Sequence, residues 1–426
     1  MIKVSFYTIG CKLNFSETAT ISRLFEKKNF EKVNFNEKAD IYVINTCSVK
    51  KNADKKSRNI IRKIVNKYPK SFVAVVGCYA QLKPEEISNL KGVDIVLGTN
   101  EKFNLIKYVK NLRKNKIPEI YSCETSEIKN FFSSYSLDER TRSFLKIQDG
   151  CNYKCTYCTI PMARGKSRND SIKNIVKTAE EISKKGKKEI VLTGVNIGDF
   201  GRSTNENFLN LIKELDKIEK IERFRISSIE PNLLSDEIID FVGISKKFVP
   251  HFHIPLQSGI NRILKLMKRP YNVEFFENRI KKIKNIMPDA FIGVDVIVGF
   301  PSETEDDFQK SIALLKSLDI SDLHIFSYSQ RENTKAILMK DQILKKVINE
   351  RSKILRKLAE EKKNFFYKKN EGKFKKVLFE SRNIENKIIG FTDNYLKVAT
   401  KFDENLINKI FKLKIENLYG QIFLLK

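Results

Sequence analysis

The chain of 426 residues has no tryptophan, three histidines, and no apolar run long enough to cross a membrane. A spanning helix needs about 20 mostly apolar residues, and the apolar stretches here are only as long as strands. The segment MIKVSFYTIGCK is also too short in apolar residues for a signal peptide. Seven cysteines cannot all pair, which excludes a complete disulfide framework. The sequence therefore predicts a cytoplasmic protein with reduced thiols and no membrane segment.

Acidic residues are too few to balance the basic ones. The formal net charge is +28 and the isoelectric point is near 9.6. Such an excess is typical of proteins that follow a phosphate backbone and favours a nucleic-acid partner. Lysine, isoleucine and phenylalanine are also abundant, a bias that an AT-rich coding sequence produces by itself.

Three of the cysteines form a compact cluster, Cys151, Cys155 and Cys158, in GCNYKCTYC. A structural metal site uses four protein donors, whereas three thiolates on a cubane of four irons leave one iron open. This spacing, with Tyr157 before the last cysteine, resembles that of radical S-adenosylmethionine (SAM) enzymes, whose open iron takes the amino and carboxylate groups of SAM. The alternatives are a zinc knuckle, which lacks a fourth ligand nearby, and reduced cysteines that are merely buried.

Strand-like and helical patterns alternate around this cluster. The strand-like runs are FLKIQDG before Cys151, then 189–194, 223–228, 251–256, 291–300 and 322–329. The helical runs are 170–185, 207–218, 235–242, 272–287 and 304–318. Six strand–helix units predict an open parallel barrel with its chemistry at the carboxyl ends of the strands.

Polar residues and glycines stand at those strand ends, where they serve either as ligand contacts or as ordinary turns. As a set they resemble the SAM-contacting segments of radical SAM barrels. The candidate SAM contacts are Tyr157, Thr193, Gly194, Ser227, Gln257, Ser258, Gly299 and Glu303, with Ser228, Glu230, Gly259 and Pro301 beside them.

Three more cysteines, Cys11, Cys47 and Cys78, each follow an apolar strand in the N-terminal segment. Helical stretches at 16–28, 53–68 and 84–90 lie between and after them, which predicts a doubly wound α/β domain. Parallel strands bring their carboxyl ends to one edge, so the three thiols should converge with one ligand position open. The alternative is three small buried side chains, although strand ends at a sheet edge seldom bury apolar groups. Cys123 has no companion and is interpreted as a free thiol.

In the C-terminal segment the spacing of apolar residues changes from a helical period to strict alternation. Residues 340–369 have apolar residues at helical spacing, and beyond Gly372 five short alternating runs predict a small closed β-barrel of the kind that holds RNA. Phe391 or Tyr395 are candidates to stack on a base. The lysines expected to face outward are Lys373, Lys375, Lys397, Lys412 and Lys414.

Taken together, these motifs resemble the tRNA methylthiotransferase family. The resemblance rests on IGCKLN, NTCSV, GCYAQ and QDGCNYKCTYCTIPMARG, and on HFHIPLQSG, RILKLMKRPY and GVDVIVGFPSETEDDF. TIGCKLN, LTGVNIGDFG and GFTDNYLKV look most like the branch that acts on N6-threonylcarbamoyladenosine. One departure is the turn after the sixth strand, where Asn333 stands in place of an expected glycine; asparagine tolerates positive φ, so we expect the turn to survive.

The resemblance implies a tRNA-modifying enzyme with two 4Fe-4S clusters. Cys11, Cys47 and Cys78 would hold an auxiliary cluster whose sulfur is methylated by one SAM, and Cys151, Cys155 and Cys158 a cluster that cleaves another SAM to a 5'-deoxyadenosyl radical. A methylthio group would then pass to C2 of the modified adenosine at position 37, next to the anticodon. The implied partners are the tRNA anticodon stem-loop and an electron donor such as flavodoxin or ferredoxin, with the enzyme a monomer.

The predicted division of the chain is an N-terminal α/β domain (1–120), a linker (121–138), a radical SAM partial barrel (139–338), a connecting helix (339–370) and a barrel that resembles the TRAM domain (371–426). Within the enzyme class the alternatives are a methylthiotransferase for isopentenyladenosine in tRNA or for a ribosomal protein. The alternative outside it is an RNA-binding protein with iron–sulfur clusters.

Overall fold

The computed structural model describes residues 1–109, 114, 117–137 and 141–425. No helix in these ranges is both long and apolar enough to cross a membrane. The N-terminal elements are β1 (Lys3–Thr8), α1 (Lys12–Glu26), β2 (Glu31–Val33), β3 (Ile41–Thr46), α2 (Lys51–Lys67), β4 (Phe72–Gly77), α3 (Cys78–Leu82), α4 (Pro84–Ser88), β5 (Ile95–Leu97), α5 (Leu105–Tyr108) and β6 (Glu119–Tyr121).

The N-terminal strands form one parallel sheet in the order β2-β1-β3-β4-β5-β6. Alternate residues of β3 enter two separate apolar cores, with Ile41 on one face and Tyr42 on the other. Helix α1 covers the first face and α2 the second, because Ile21 and Ile61 lie in these respective cores. The strands β1, β3 and β4, which precede the three separated cysteines, are direct neighbours.

The central part follows as a second series of strands and helices. Its elements are β7 (Ser134–Tyr135), β8 (Ser143–Lys146), β9 (Gln148–Asp149), α6 (Ile160–Arg164), β10 (Arg168–Asn169), α7 (Ile172–Lys184), β11 (Glu189–Thr193), α8 (Phe208–Asp216), β12 (Arg223–Ile226), α9 (Asp236–Ile244), β13 (His251–Gln257), α10 (Asn261–Leu266), α11 (Val273–Ile286), β14 (Phe291–Val298), α12 (Glu305–Ser317) and β15 (Asp322–Ser327).

These strands form an open parallel barrel wall. One sheet has the order β12-β11-β8-β7 and the next β13-β14-β15, and bridges from Phe224 to Phe248 and from Ser228 to His253 join them. In the described part of these two sheets, β7 alone runs antiparallel to its neighbour, and the short strands β9 and β10 form a separate antiparallel pair. The largest apolar core lies between this wall and the surrounding helices. The predicted α/β class with parallel sheets is confirmed.

The C-terminal elements are α13 (Lys345–Asn370), β16 (Phe374–Ile384), β17 (Lys387–Thr392), β18 (Lys397–Lys401), β19 (Ile410–Lys414), β20 (Leu418–Tyr419) and β21 (Ile422–Leu424). The strands form a sheet in the order β19-β16-β17-β18-β21-β20. Its core includes Phe291 at the start of β14. Arg223 of β12 donates hydrogen bonds to the carbonyl oxygens of Phe391 (3.1 Å) and Lys376 (2.6 Å), so this sheet lies against the amino ends of the barrel strands.

Some local expectations are corrected by the structure. Helix α1 begins at Lys12, not at residue 16, so Cys11 lies directly at its amino end. The expectation that the five C-terminal lysines all face outward is wrong for Lys375, whose largely buried side chain pairs with Asp289 of the barrel (2.9 Å), and for Lys397, which lines an inner cavity. Lys373 pairs with the same carboxylate (2.6 Å) from a more exposed position. Asn333 does adopt positive φ (61°), as the turn requires.

Candidate metal centres and the barrel cavity

The first cysteine set lies at the carboxyl ends of β1, β3 and β4. Cys47 follows β3 directly, Cys78 opens α3 after β4, and Gly10 brings the chain beside them with φ of 118°. A Cβ on Gly10 would lie 2.8 Å from the Cβ of Cys47 and 3.1 Å from its sulfur, so only glycine allows this approach. The sequence placed these thiols at one edge, and the structure puts Cys11 and Cys47 in close proximity there.

Cys47 and Cys78 are buried, whereas Cys11 is exposed. The expectation that strand ends at this edge would not bury side chains is therefore wrong for two of the three. The barrel covers the edge: Thr159 donates to the carbonyl oxygen of Ser48 (3.4 Å). Burial, with the neighbouring Cys78 thiol, raises the pKa of Cys47 to about 12.

Asn14 and Arg164 join this edge to the barrel. The Asn14 amide donates to the carbonyl oxygens of Ile9 (2.8 Å) and Thr46 (3.0 Å), the residues that lead to Cys11 and Cys47. Arg164, at the end of α6, donates to the Asn14 side-chain oxygen (2.7 Å) and pairs with Glu17 (3.0 Å). Burial raises the pKa of the Cys78 thiol, and the charge of the buried Arg164 guanidinium opposes this shift in favour of the ligating thiolate.

The second cysteine set occupies the loop between β9 and α6. Gly150 precedes it with φ of 71°, and a Cβ there would lie 2.0 Å from the Lys166 carbonyl oxygen. Thr156 anchors the middle of the loop by donating to the carbonyl oxygen of Leu266 (3.0 Å). The loop is therefore held by both its entry turn and the barrel.

Each sulfur of this second set accepts one hydrogen bond. The backbone N–H of Tyr153 donates to Cys151 and that of Ile160 to Cys158, both at 3.4 Å. The Arg269 guanidinium donates to Cys155 at 3.0 Å. Hydrogen bonds to ligating sulfurs stabilise the thiolates and tune a cluster's reduction potential.

Arg269 also pairs with Glu230, beyond β12. Burial raises the pKa of the Glu230 carboxyl to about 7, although the Arg269 charge opposes the shift. The pair thus places the Arg269 cation in contact with the Cys155 sulfur, and the Glu230 carboxyl group beside that cation.

The distances between the cysteine sulfurs distinguish between two kinds of metal site, a single zinc ion and an iron–sulfur cluster. Four thiolates about 2.3 Å from one zinc ion lie about 3.8 Å apart. Within the described ranges, no three cysteine sulfurs lie within 4.8 Å of one another. Both sets are wider than a single ion requires, and three thiols per set with cations or N–H donors beside them fit a polynuclear iron–sulfur cluster.

A cavity of about 820 Å³ fills the inside of the barrel. Gly10, Cys11 and Lys12 line one side, Thr193, Gly194 and Ser227 line the carboxyl ends of the strands, and Phe391 and Tyr395 of the C-terminal sheet close the far end. Cys11, the exposed member of the first cysteine set, therefore opens into the barrel. Phe391 and Tyr395 stack on each other here, with ring centroids 5.0 Å apart, which is inside the protein and not on an outer face.

A smaller cavity of about 190 Å³ adjoins it beside Cys158, Tyr157 and Gln257. Asp295 lines this space and hydrogen bonds to two histidines of the larger one, His253 (2.6 Å) and His324 (3.0 Å). Burial alone would raise the pKa of Asp295, but these contacts lower it to about 2. The hydrogen bond to Asp295 in turn raises the pKa of His324. The three residues form the wall between the two cavities.

The candidate SAM contacts divide into two groups. Thr193, Gly194 and Ser227 line the larger cavity, and Tyr157 and Gln257 line the smaller one. Ser258, Gly299 and Glu303 line neither.

Gly299 and Glu303 lie against helix α13. The Gly299 N–H donates to the Glu303 carboxylate (2.8 Å), which also pairs with Arg351 (2.8 Å). A Cβ on Gly299 would lie 2.3 Å from Ile348. In this structure both residues serve a turn and an ion pair, and the strand-end pattern could not separate that role from ligand contact.

Sequence reasoning missed Arg164, Arg269 and the His253–Asp295–His324 group. Arg269 stands 114 residues from the sulfur it contacts, and no spacing rule connects the two. The available signal was that Arg164, Arg269, His253 and Asp295 lie within segments already noted as distinctive, namely QDGCNYKCTYCTIPMARG, RILKLMKRPY, HFHIPLQSG and GVDVIVGFPSETEDDF.

Comparison with known proteins gives matches over nearly the whole chain. Residues 3–98 match the profile described as uncharacterized protein family UPF0004, and residues 145–315 match the radical SAM superfamily. Threonylcarbamoyladenosine tRNA methylthiotransferase MtaB of Bacillus subtilis is 40% identical, with 97% of this chain and 94% of the relative covered. The same-named protein of Aquifex aeolicus is 40% identical over 93% and 96%. A tRNA-2-methylthio-N(6)-dimethylallyladenosine synthase of Clostridium botulinum is 33% identical over 96% and 93%.

Solved structures match at the level of the fold. The radical S-adenosylmethionine methyltransferase TsrM of Kitasatospora setae, with tryptophan substrate and a SAM analogue bound, aligns with a TM-score of 0.56 and 13% identity, covering 76% of this chain and 73% of that one. Its form with cobalamin and a [4Fe-4S] cluster aligns with a TM-score of 0.54, covering 77% and 75%. The radical SAM fold predicted for the central part is confirmed.

Proposed function

The chain belongs to the family of radical SAM tRNA methylthiotransferases, and we propose that it transfers a methylthio group to C2 of N6-threonylcarbamoyladenosine, next to the anticodon of tRNA. The identity of 40% over 97% of the chain to an enzyme named for this nucleoside supports the assignment. Like its family, the enzyme works with SAM and two 4Fe-4S clusters.

The observation that carries the proposal is the meeting of two separate three-thiol sets at adjoining cavities. Cys11 opens into the larger cavity and Cys158 into the smaller one, with the His253–Asp295–His324 wall between them. A protein that only stores metal does not need two three-thiol sets that open into two adjoining cavities. When bound, the clusters and SAM supply the electron, the radical and the methylated sulfur.

The residues of the chain hold and shield this chemistry. Cys11, Cys47 and Cys78 ligate the auxiliary cluster, and Cys151, Cys155 and Cys158 the radical SAM cluster. Arg269 and two backbone N–H groups stabilise the second set of thiolates. Thr193, Gly194, Ser227, Tyr157 and Gln257 contact SAM at the strand ends, and the C-terminal sheet closes the far end of the barrel against water.

The proposal assigns a role to each part of the chain. Residues 1–120 carry the auxiliary cluster, 121–138 connect, 139–338 form the radical SAM barrel, 339–370 the connecting helix, and 371–426 a TRAM-like barrel that contacts the anticodon stem-loop. The net charge of +28 supports the RNA contact. The enzyme acts in the cytoplasm as a monomer and takes electrons from a flavodoxin or ferredoxin.

The test is mass analysis of tRNA nucleosides from cells with the gene, without it, and with a Cys155→Ala variant. We expect 2-methylthio-N6-threonylcarbamoyladenosine only with the intact gene, and its unthiolated precursor otherwise. Methylthiolation of isopentenyladenosine or of a ribosomal protein instead would support the corresponding alternative. No modification of any acceptor would leave only the RNA-binding alternative.

The division of labour between the two thiol sets has its own test. Cys155→Ala should abolish 5'-deoxyadenosine formation, whereas Cys47→Ala should preserve cleavage and stop methylthiolation, because the cluster that Cys151, Cys155 and Cys158 would hold is the one that would supply the electron for cleavage. The reconstituted enzyme should hold about eight irons, and removing either set should leave about half. A wild-type limit near four irons would contradict the two-cluster assignment.

A further inference from the structure

Arg225, the third residue of β12, has a guanidinium that is only partly engaged. Its Nε donates to the Glu189 carboxylate at 2.9 Å, while Nη1 and Nη2 have no hydrogen-bond partner in the described part of the chain. The residue is 2% exposed and lines the larger cavity. Burying charged N–H groups without acceptors is costly, so this edge of the guanidinium is suited to an anionic ligand.

Comparison with the neighbouring Arg223 shows that the lack of hydrogen-bond partners is particular to Arg225 and is not shared by both buried arginines of this strand. Arg223 is on the same strand and equally buried, but its Nη1 and Nη2 are both bound to carbonyl oxygens of the C-terminal sheet. The Arg225 guanidinium instead lies over the Tyr395 ring, 4.7 Å from its centroid. The ring supports one face of the guanidinium, and the two free nitrogens remain available as a fork for a carboxylate.

Charge in this part of the cavity is unbalanced. Lys12 lines the same cavity, and no carboxylate of the described residues lies within ion-pair distance of its ammonium.

The nearby carboxylates already have cationic or hydrogen-bonding partners. Glu189 pairs with Arg225, Glu380 with Arg142, and Asp322 with Lys363. Asp295 accepts hydrogen bonds from two histidines. Glu189 lies within ion-pair distance of both Arg225 and Arg223, so one carboxylate faces two guanidinium groups. With Lys12 beside them, this excess of positive charge calls for an anion from outside the chain.

The position of Arg225 on β12 sets the distance between the basic side chains of the cavity and the strand ends near the first thiol set. Arg225 stands two residues before Ser227, and a strand rises about 3.3 Å per residue, so their Cα atoms are about 7 Å apart along the cavity. Ser227 and Cys11 line the same space near the strand ends and the first thiol set. An adenine base whose C2 atom points toward Ser227 and Cys11 can extend its N6 substituent toward Arg225.

We propose that Arg225, with Lys12, binds the carboxylate of the threonylcarbamoyl group and thereby selects this nucleoside over isopentenyladenosine, whose substituent is uncharged. The inference rests on the proposed function and adds specificity-determining residues to it. The proposal also gives the C-terminal sheet a second role, because Tyr395 packs against the guanidinium that binds the carboxylate. A phosphate of the RNA is the other anion with suitable chemistry.

The test uses the full-length, cluster-loaded enzyme and anticodon stem-loop RNAs with three forms of the target nucleoside: the free acid, its uncharged threoninamide analogue, and isopentenyladenosine. For the wild-type enzyme we expect kcat/KM for the free acid to exceed that for the amide by about 10- to 100-fold, the range for a charge-assisted pair of hydrogen bonds. Equal values for acid and amide would overturn the inference without any variant.

Variants then identify the residues and the anion. Arg225→Gln should remove the preference for acid over amide, and Arg225→Lys should restore part of it, with iron content and melting temperature confirming the fold. Lys363→Gln removes a charge that Asp322 already pairs, and should keep the preference. An equal loss on all three RNAs with Arg225→Gln would show that the arginine binds a phosphate instead and would refute the carboxylate assignment. If the wild type modifies none of the threonylcarbamoyl RNAs, the proposed function itself fails.

Discussion

Replacing Glu17 with glutamine should lower the free energy of unfolding by about 3–5 kcal/mol at neutral pH, the usual cost of breaking a buried ion pair from one side. Glu17 is fully buried, and its carboxylate faces Lys102 (2.7 Å), Arg164 (3.0 Å) and Lys146 (3.3 Å). The neutral amide leaves Lys146 and Arg164 with Asp149 as their remaining carboxylate, and leaves Lys102 without an ion-pair partner among the described residues. Because Arg164 bridges the N-terminal sheet and the barrel, the loss also weakens the junction between them.

The matched control is Glu26→Gln on the same helix. Glu26 is exposed and forms no ion pair within the described ranges, so its replacement should change stability by less than about 0.5 kcal/mol. Urea denaturation of cluster-free, reduced protein, followed by circular dichroism, measures both variants. A difference between them below about 1 kcal/mol at pH 7 would refute the role assigned to Glu17.

The pH dependence of this difference has a definite sign. Burial would raise the pKa of Glu17, but Arg164, Lys102 and Lys146 hold it well below its ordinary value. A group whose folded pKa is depressed contributes stability that is complete above its unfolded pKa, near 4.3, and is lost as pH falls toward the folded value. The gap between wild type and Glu17→Gln should therefore be constant from pH 7 to about 5.5 and narrow below about 4.

Three other predictions follow from single contacts. Arg269→Leu removes a cationic donor to Cys155, so the radical SAM cluster should become harder to reduce, with a more negative midpoint in potentiometric titration; an unchanged midpoint would contradict the role of this contact. Lys412→Gln, at an exposed lysine, should weaken tRNA binding and reduce the salt slope by about 0.7–0.9, whereas Lys375→Gln, whose charge Asp289 already pairs, should leave the slope nearly unchanged; equal slopes for the two variants would refute the assignment. In ¹³C-histidine NMR, His324 should titrate above its ordinary pKa because of Asp295, and His251 well below it because of burial and nearby cations; the reverse order would show that the described contacts do not form.

Most of the candidate site was accessible from the sequence because its signals are local. Cys151, Cys155 and Cys158 lie within one loop, and their spacing alone indicates an open iron–sulfur site. Cys11, Cys47 and Cys78 are far apart in the chain, but each follows a strand, and parallel strands end at one edge. The strands of the barrel were placed to within a few residues, because buried parallel strands are short apolar runs between turns.

Other features lay beyond local patterns. The sequence assigned Lys373 and Lys375 to an outer face from their alternation, but alternation cannot reveal that Asp289 of the barrel lies opposite them. Tyr395 was interpreted as a base-stacking residue on the C-terminal sheet, yet it lines the cavity inside the barrel, at the amino ends of the barrel strands. In both cases the docking of one sheet against another decided what each side chain faces.

The sequence by itself determined the chemistry: two three-thiol sets, parallel strands that carry them, and a basic chain suited to RNA. These follow from residue type and spacing, which act over a few residues or one strand. Only the tertiary structure decided which cations face which thiols, that Glu303 belongs to an ion pair, and that Arg225 keeps two free nitrogens inside the barrel. The physical reason is that hydrogen-bond satisfaction and burial depend on every neighbour in space, and those neighbours come from segments far apart in the chain.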